Sequence, residues 1–165
     1  MKVLMRSIVL LPAAMFLTIA IAGATKPDKP DKTVTFSGSF QGKETDVLQG
    51  TPPQSIAVDG TLTGVANQLG KFTVKYKVTV KLPEGSSAGF AQTTSADGDI
   101  LFATVIGLGL EIPGMPGLNR IVEFYTITAG TGRFAGAKGS LRVERLVDLA
   151  TGLTSGSIQA SVIIP

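Results

Sequence analysis

Three side chains in this 165-residue sequence have the types and spacing for acid–base work: Glu123 and Tyr125 in "IVEFYTI", residues 121–127, and Arg145 in "LRVERLV", residues 141–147. In an extended strand alternate residues share a face. Glu123 and Tyr125 therefore lie with Ile121 and Ile127, and Arg145 lies with Leu141, Val143 and Val147. A hairpin centred near Phe134 sets Glu123 against Arg145 and Tyr125 against Val143. Two readings follow. Turned outward, the default, the group is a cross-strand ion pair on the surface, worth about 0–1 kcal/mol. Turned inward, the arginine holds Glu123 ionised, Tyr125 donates a hydrogen bond, and a proton-transfer or oxyanion-stabilising site sits in an apolar interior.

Other chemistry is sparse. The chain has no histidine and no cysteine, so it carries no Ser-His-Asp or Cys-His machinery, no thiolate and none of the usual zinc sites. Asp97 and Asp99 flank Gly98, a spacing that suits a turn and lacks the further oxygen ligands of a calcium loop. Neither phosphate-binding glycine motif is present. No metal, cofactor or nicotinamide is implied.

The elements that must position these residues are strands. In "KFTVKYKVTVK", residues 71–81, Phe72, Val74, Tyr76, Val78 and Val80 alternate with polar residues, four of them lysines, which is the pattern of a half-buried antiparallel strand. Similar runs at about 33–40, 54–63, 88–95, 99–107, 120–128, 139–147 and 154–163 predict eight strands separated by turn signals. No segment holds helical periodicity for three turns. Eight short strands and 20 glycines predict an all-β fold, an eight-stranded antiparallel barrel closed on itself, with a two-sheet sandwich as the alternative. Alternation places Val34, Phe36, Phe40, Ile56, Val58, Leu62, Ile158, Ala160, Val162 and Ile164 inside, beside the inward face of 71–81. An interior this apolar is packed by default, or holds one greasy molecule, for which Phe72, Tyr76 and Phe134 are the candidate contacts.

The ends of the chain bound its setting. Lys2 and Arg6 precede an apolar run and the small residues Ala22, Gly23 and Ala24, a secretory leader expected over 1–24. Residues 25–32, "TKPDKPDK", read as a charged tether, and 33–165 as one barrel domain. Without the leader 13 basic residues face 12 acidic ones, so no nucleic-acid partner is expected. An exported chain without cysteine fits a periplasm or cell exterior, with no membrane association after cleavage.

The corner "TITAGTGRFAGAKGSLRV", residues 126–143, carries a further signal. Glycines there permit a tight turn around Phe134, with the phenyl ring plugging the barrel mouth and Arg133 pointing to solvent. Gly130, Thr131, Gly132, Phe134, Ala137 and Gly139 match G-T-G-x-F-x-x-A-x-G, and Gly136 lies within it. The sequence here resembles the allene oxide cyclase and dirigent-like barrels. "QLGKFTV" at 68–74, "ADGDILFATVIG" at 96–107 and "VDLATGLTSGSI" at 147–158 are similar to segments of exported bacterial members of that class. The resemblance implies an eight-stranded barrel, often oligomeric in plant members, with a largely apolar pocket; its enzymes cyclise or orient hydrophobic intermediates. Ala129 stands where a second glycine often precedes the signature, and Gln68 where exported relatives often carry histidine. No catalytic residue carries over. The expected function is an exported barrel that binds an apolar small molecule or plays a structural or interaction role without catalysis. The alternative is an allene oxide cyclase-like or dirigent-like cyclase or isomerase.

Overall fold

The computed structural model describes residues 31–165, and within them the alternating segments form eight antiparallel strands. In chain order these are β1 (Lys32–Gln49), β2 (Ser55–Ala66), β3 (Gly70–Lys81), β4 (Ser86–Ser95), β5 (Ile100–Ile112), β6 (Met115–Gly130), β7 (Lys138–Asp148) and β8 (Leu153–Ile164). Each pairs with its sequence neighbour, and β8 returns to pair with β1, so the sheet closes into a barrel. Closure leaves no free edge. The sandwich alternative is thereby excluded. The expected leader lies outside the described residues, as does the tether except for Asp31 and Lys32, of which Lys32 already begins β1.

Every expected strand is present, and most run longer than the sequence signals suggest. β1 continues nine residues past Phe40, β5 reaches Ile112, and β6 begins inside "PGMPG" at Met115. Ile112 pairs with Met115, so only Pro113 and Gly114 form the turn. Polar residues on both faces of the β1 extension hide it from a hydrophobic pattern, and glycines and prolines do so around the β5–β6 turn, while the neighbouring strand still supplies backbone partners.

The inward positions expected from alternation are inside. Phe36, Phe40, Val58, Leu62, Phe72, Val74, Tyr76, Val78, Ile158, Ala160 and Val162 are buried, and Ile56, Val80 and Ile164 pack against them. Val34 is half-buried near the rim. Side chains fill the barrel: the space left among Phe40, Leu62, Phe72, Tyr125, Leu141 and Ile158 is about 10 Å³, roughly what one water needs.

At the corner Gly132–Phe134 form one turn of 3-10 helix, closed by Phe134 N–H donating to the Thr131 carbonyl at 2.9 Å. Thr131 ties the corner to β5: its Oγ1 accepts from Ile100 N–H at 3.0 Å and its own N–H donates to the Ile100 carbonyl at 2.8 Å. Gly132 and Gly136 have φ of +55° and +75°, in the left-handed region that penalises a Cβ. Ala137 and Phe134 are buried, so the ring does plug this end. Arg133 is exposed, as expected, and its guanidinium is also held against the corner. Its guanidinium lies 4.9 Å from the Phe134 ring centre and reaches Asp97 at 3.6 Å and Asp99 at 3.5 Å. The Asp97-Gly98-Asp99 turn is thus also the seat of that arginine.

Candidate functional site

The β6–β7 register decides what Glu123 and Arg145 do. Glu123 pairs with Val143, Tyr125 with Leu141 and Ile121 with Arg145, two residues from the expected alignment. The 3-10 turn is centred on Arg133 rather than Phe134. A slip of two keeps every side chain on its face, because the strand period is two. Glu123 and Arg145 are consequently diagonal neighbours, still within reach.

That face points into the barrel, so the outward ion pair is overturned. The side chains of Glu44, Glu123 and Arg145 are 3%, 1% and 2% exposed. Arg145 Nη2 donates to Glu123 Oε1 and Nε to Oε2, both at 3.2 Å, a bidentate clamp. Its Nη1 donates to Glu44 Oε2 at 2.6 Å and to Thr154 Oγ1 at 3.3 Å. Tyr125 donates its hydroxyl to Glu123 Oε2 at 3.1 Å, and the Tyr76 hydroxyl donates to Glu44 Oε2. Thr154 in turn donates to the Leu146 carbonyl at 2.7 Å. Five strands therefore converge on one guanidinium. Enclosure this complete is what a buried charge requires, since an unpaired one costs several kcal/mol.

Glycines make the room. Glu44, Gly60 and Tyr76 are aligned across β1, β2 and β3, and a Cβ at Gly60 would overlap the Tyr76 ring. The phenol thus crosses a residue without a side chain to reach the carboxylate. On the other side Gly107 pairs with Glu123, and a Cβ there would lie 2.7 Å from Glu123 Cγ. Bare backbone recurs at Gly156, where a Cβ would lie 2.7 Å from Arg145 Cβ.

Electrostatics follow the geometry. Desolvation pushes the Tyr76 and Tyr125 hydroxyls well above the usual phenol range, Arg145 opposes this, and the adjacent carboxylates add to it. For Arg145 burial works against its charge, but Glu123, Tyr76 and Glu44 outweigh that and hold the guanidinium more firmly protonated. Asp46, two residues along β1 from Glu44, has its carboxyl raised by partial burial and by Glu44, with Arg145 opposing. Both phenols therefore remain protonated donors, and the chemistry available is charge clamping and hydrogen-bond donation.

The three weak candidates Glu123, Tyr125 and Arg145 are brought together; the three ligand candidates are not. Phe72 borders both the 10 Å³ remnant and a surface groove of about 740 Å³, Tyr76 belongs to the polar cluster, and Phe134 borders a separate cleft of about 170 Å³ with Val34, Phe36, Gln68 and Leu69. Ligand pockets usually run to about 300 Å³ or more. Gln68, at the position where relatives often have histidine, sits at φ +60° on the rim of that cleft. Glu44 and Thr154 are the members of the cluster that sequence reasoning missed, while Tyr76, read as an apolar ligand contact, instead donates to Glu44. Continuing the even-numbered inward series Phe36, Phe40 by four residues would have found Glu44.

No known family profile matches the chain, and no curated protein does. Two solved structures are similar to it, both pterocarpan synthase dirigent proteins. GePTS1 is 17% identical with a TM-score of 0.32, over 81% of this chain and 91% of that one. PsPTS1 is 15% identical with a TM-score of 0.28, over 81% and 94%. At such scores the likeness carries nothing further, and the fold, an eight-stranded closed antiparallel barrel, rests on this chain's own strand pairing.

Proposed function

We propose that this chain is an exported, noncatalytic interaction barrel that associates with a second copy of itself through the outer wall of β4, β5 and β6. The observation that carries the reading is an inversion of where free apolar surface lies. Inside, the space among the central side chains is about 10 Å³ and the cleft at the Phe134 end about 170 Å³. Outside, Phe90 on β4, Ile106, Leu108 and Leu110 on β5, and Phe124 on β6 are exposed, Phe90 by 70% and Ile106 by 62%.

These residues form one patch. Ile106 pairs with Phe124 and with Ala88, and Leu108 pairs with Val122. The outer face of β5 reads Phe102, Thr104, Ile106, Leu108, Leu110, with no charge along it. A contiguous apolar patch rimmed by polar residues marks an interaction surface. With no strand edge available, association must occur face to face. The flank on β6 and β7 carries both signs, Arg120 and Arg142 each paired with Glu144, so a two-fold arrangement meets little like-charge repulsion.

A cyclase or isomerase, the second reading, draws on Glu123, Tyr125 and Arg145 being together. It requires a substrate to reach groups whose donors and acceptors are already matched to one another inside a filled barrel, which favours the structural role. Export rests on the leader-like segment, and N-terminal sequencing of protein recovered from culture should read Thr25; retained Met1 would overturn that part. Sedimentation across the micromolar range tests the association. Wild type should self-associate and Phe124→Lys, at an exposed site, should be monomeric. A wild-type chain that stays monomeric throughout would overturn the reading.

A further inference from the structure

The wall opposite in character to the apolar one has its own chemistry. On the outer faces of β1–β4 the charged side chains are Lys43, Lys71, Lys75, Lys77, Lys81 and Asp59, all exposed. Asp59 pairs with Lys77, and the other four lysines have no carboxylate partner among the described residues. Four of the five form a ladder along β3, and Lys43 and Lys75 both flank Thr61 in the strand register. At about 3.3 Å per residue the ladder from Lys71 to Lys81 extends over roughly 33 Å. The acids of β1 do not offset it, because Glu44 and Asp46 lie on the inward parity.

A groove of the barrel surface runs across these same strands. It measures about 740 Å³, and its polar lining is Ser39, Gln41, Thr63, Lys71, Thr73, Thr94 and Ser95. Hydroxyls and an amide offer both donors and acceptors, and the one charge in the groove is the first rung of the ladder. The ladder alone is what any solvated strand face offers; the groove beside it adds shape and neutral hydrogen-bonding groups.

We propose that this wall binds an anionic polysaccharide, with the groove seating acidic sugar units and the β3 lysines following the chain. This goes beyond self-association through β4–β6 and does not depend on it. The neutral hydroxyl and amide lining matches sugar hydroxyls. Single-stranded nucleic acids are held by exposed aromatic platforms; the aromatic residues of this groove, Phe40 and Phe72, are buried, and the exposed aromatic of this wall, Phe90 opposite Lys77, lies outside the groove beside the apolar patch. Phosphate recognition favours the bidentate fork of arginine, whereas every cation here is lysine. A concave seat also suits a chain better than a bilayer surface, which takes a projecting apolar face.

The probe is polygalacturonate, titrated against the full chain, with dextran, duplex DNA and phosphatidylglycerol vesicles in parallel. Polygalacturonate should bind, dextran should not, and affinity should fall as salt rises, as for any polyelectrolyte contact. Lys71→Gln with Lys75→Gln should weaken binding by about tenfold at low salt, since two charge contacts are lost. Thr73→Val leaves the charge unchanged and should weaken polygalacturonate binding while leaving residual DNA binding unaltered. Four results overturn the proposal: no binding of polygalacturonate, binding unaffected by the double lysine change, binding indifferent to Thr73→Val, or tighter binding of DNA or vesicles than of polygalacturonate.

Discussion

Replacing Glu123 by glutamine removes one negative charge from a cluster sealed from solvent and changes almost nothing in volume. In the wild type Glu123 accepts three hydrogen bonds, two from Arg145 at 3.2 Å and one from Tyr125 at 3.1 Å. A glutamine keeps one acceptor oxygen and turns an amide N–H₂ toward an arginine N–H or a tyrosine hydroxyl, so at least one contact becomes donor against donor. Breaking a buried pair costs about 3–5 kcal/mol. Arg145 keeps Glu44 at 2.6 Å, which places the expected loss near the lower figure, about 3 kcal/mol. Arg145→Met should cost more, since it leaves two buried carboxylates without their cation. Urea denaturation followed by circular dichroism measures both, with the midpoint shift multiplied by the slope. A loss below about 1 kcal/mol for Glu123→Gln is the signature of a solvated pair, and it would refute the enclosed cluster on which the structural role rests.

Three further outcomes follow from the same geometry. Gly60→Ala should displace the Tyr76 ring from Glu44 and destabilise by about 1–3 kcal/mol, the usual range for overpacking, and Tyr76→Phe in the same background should then cost little more, which a double-mutant cycle reads. Phe134→Ala should cost about 3 kcal/mol if the ring plugs the barrel end, and Gly132→Ala about 1 kcal/mol through its positive φ; a thermal shift within error for Phe134→Ala would place the ring in solvent. Asp46, whose folded carboxyl is raised, binds its proton more tightly in the native state, so its contribution is present below the unfolded value of 3.8 and is lost as pH rises through the higher folded value. Asp46→Asn should therefore be more stable than wild type at neutral pH, with the two converging toward acid; a variant less stable at neutral pH would reverse the sign.

The barrel was legible because its strands alternate cleanly where they carry the core. "KFTVKYKVTVK" alone exposes both a face and a period, and the glycine corner fixed where β6 turns into β7. The inward residues named from alternation are inside. What alternation missed was polar: once the interior is taken to be apolar, a glutamate on the inward parity reads as the end of the strand, and β1 was cut at Phe40, four residues before Glu44. The same assumption made an outward Glu123 the default. The correct answer needed the identity of register partners on the adjacent strands, Gly60 beside Tyr76 and Gly107 beside Glu123, which no local window contains. The register error was harmless to the faces but would have misplaced the diagonal contact of Glu123 with Arg145. Whether the barrel was hollow was not readable at all, because residual volume depends on how large side chains from eight strands interdigitate.

The account turns on the working surface lying outside a filled interior, and a methyl NMR titration with a small apolar probe, 1-anilinonaphthalene-8-sulfonate, tests that directly. Methyl signals of Ile106, Leu108 and Leu110 on the outer wall should shift with saturation, while those of Leu62, Val74, Leu141, Val143 and Ile158 inside the barrel stay in place. Saturable shifts centred on the inner set, with the outer wall unmoved, would show a ligand cavity that opens in solution and would contradict the account.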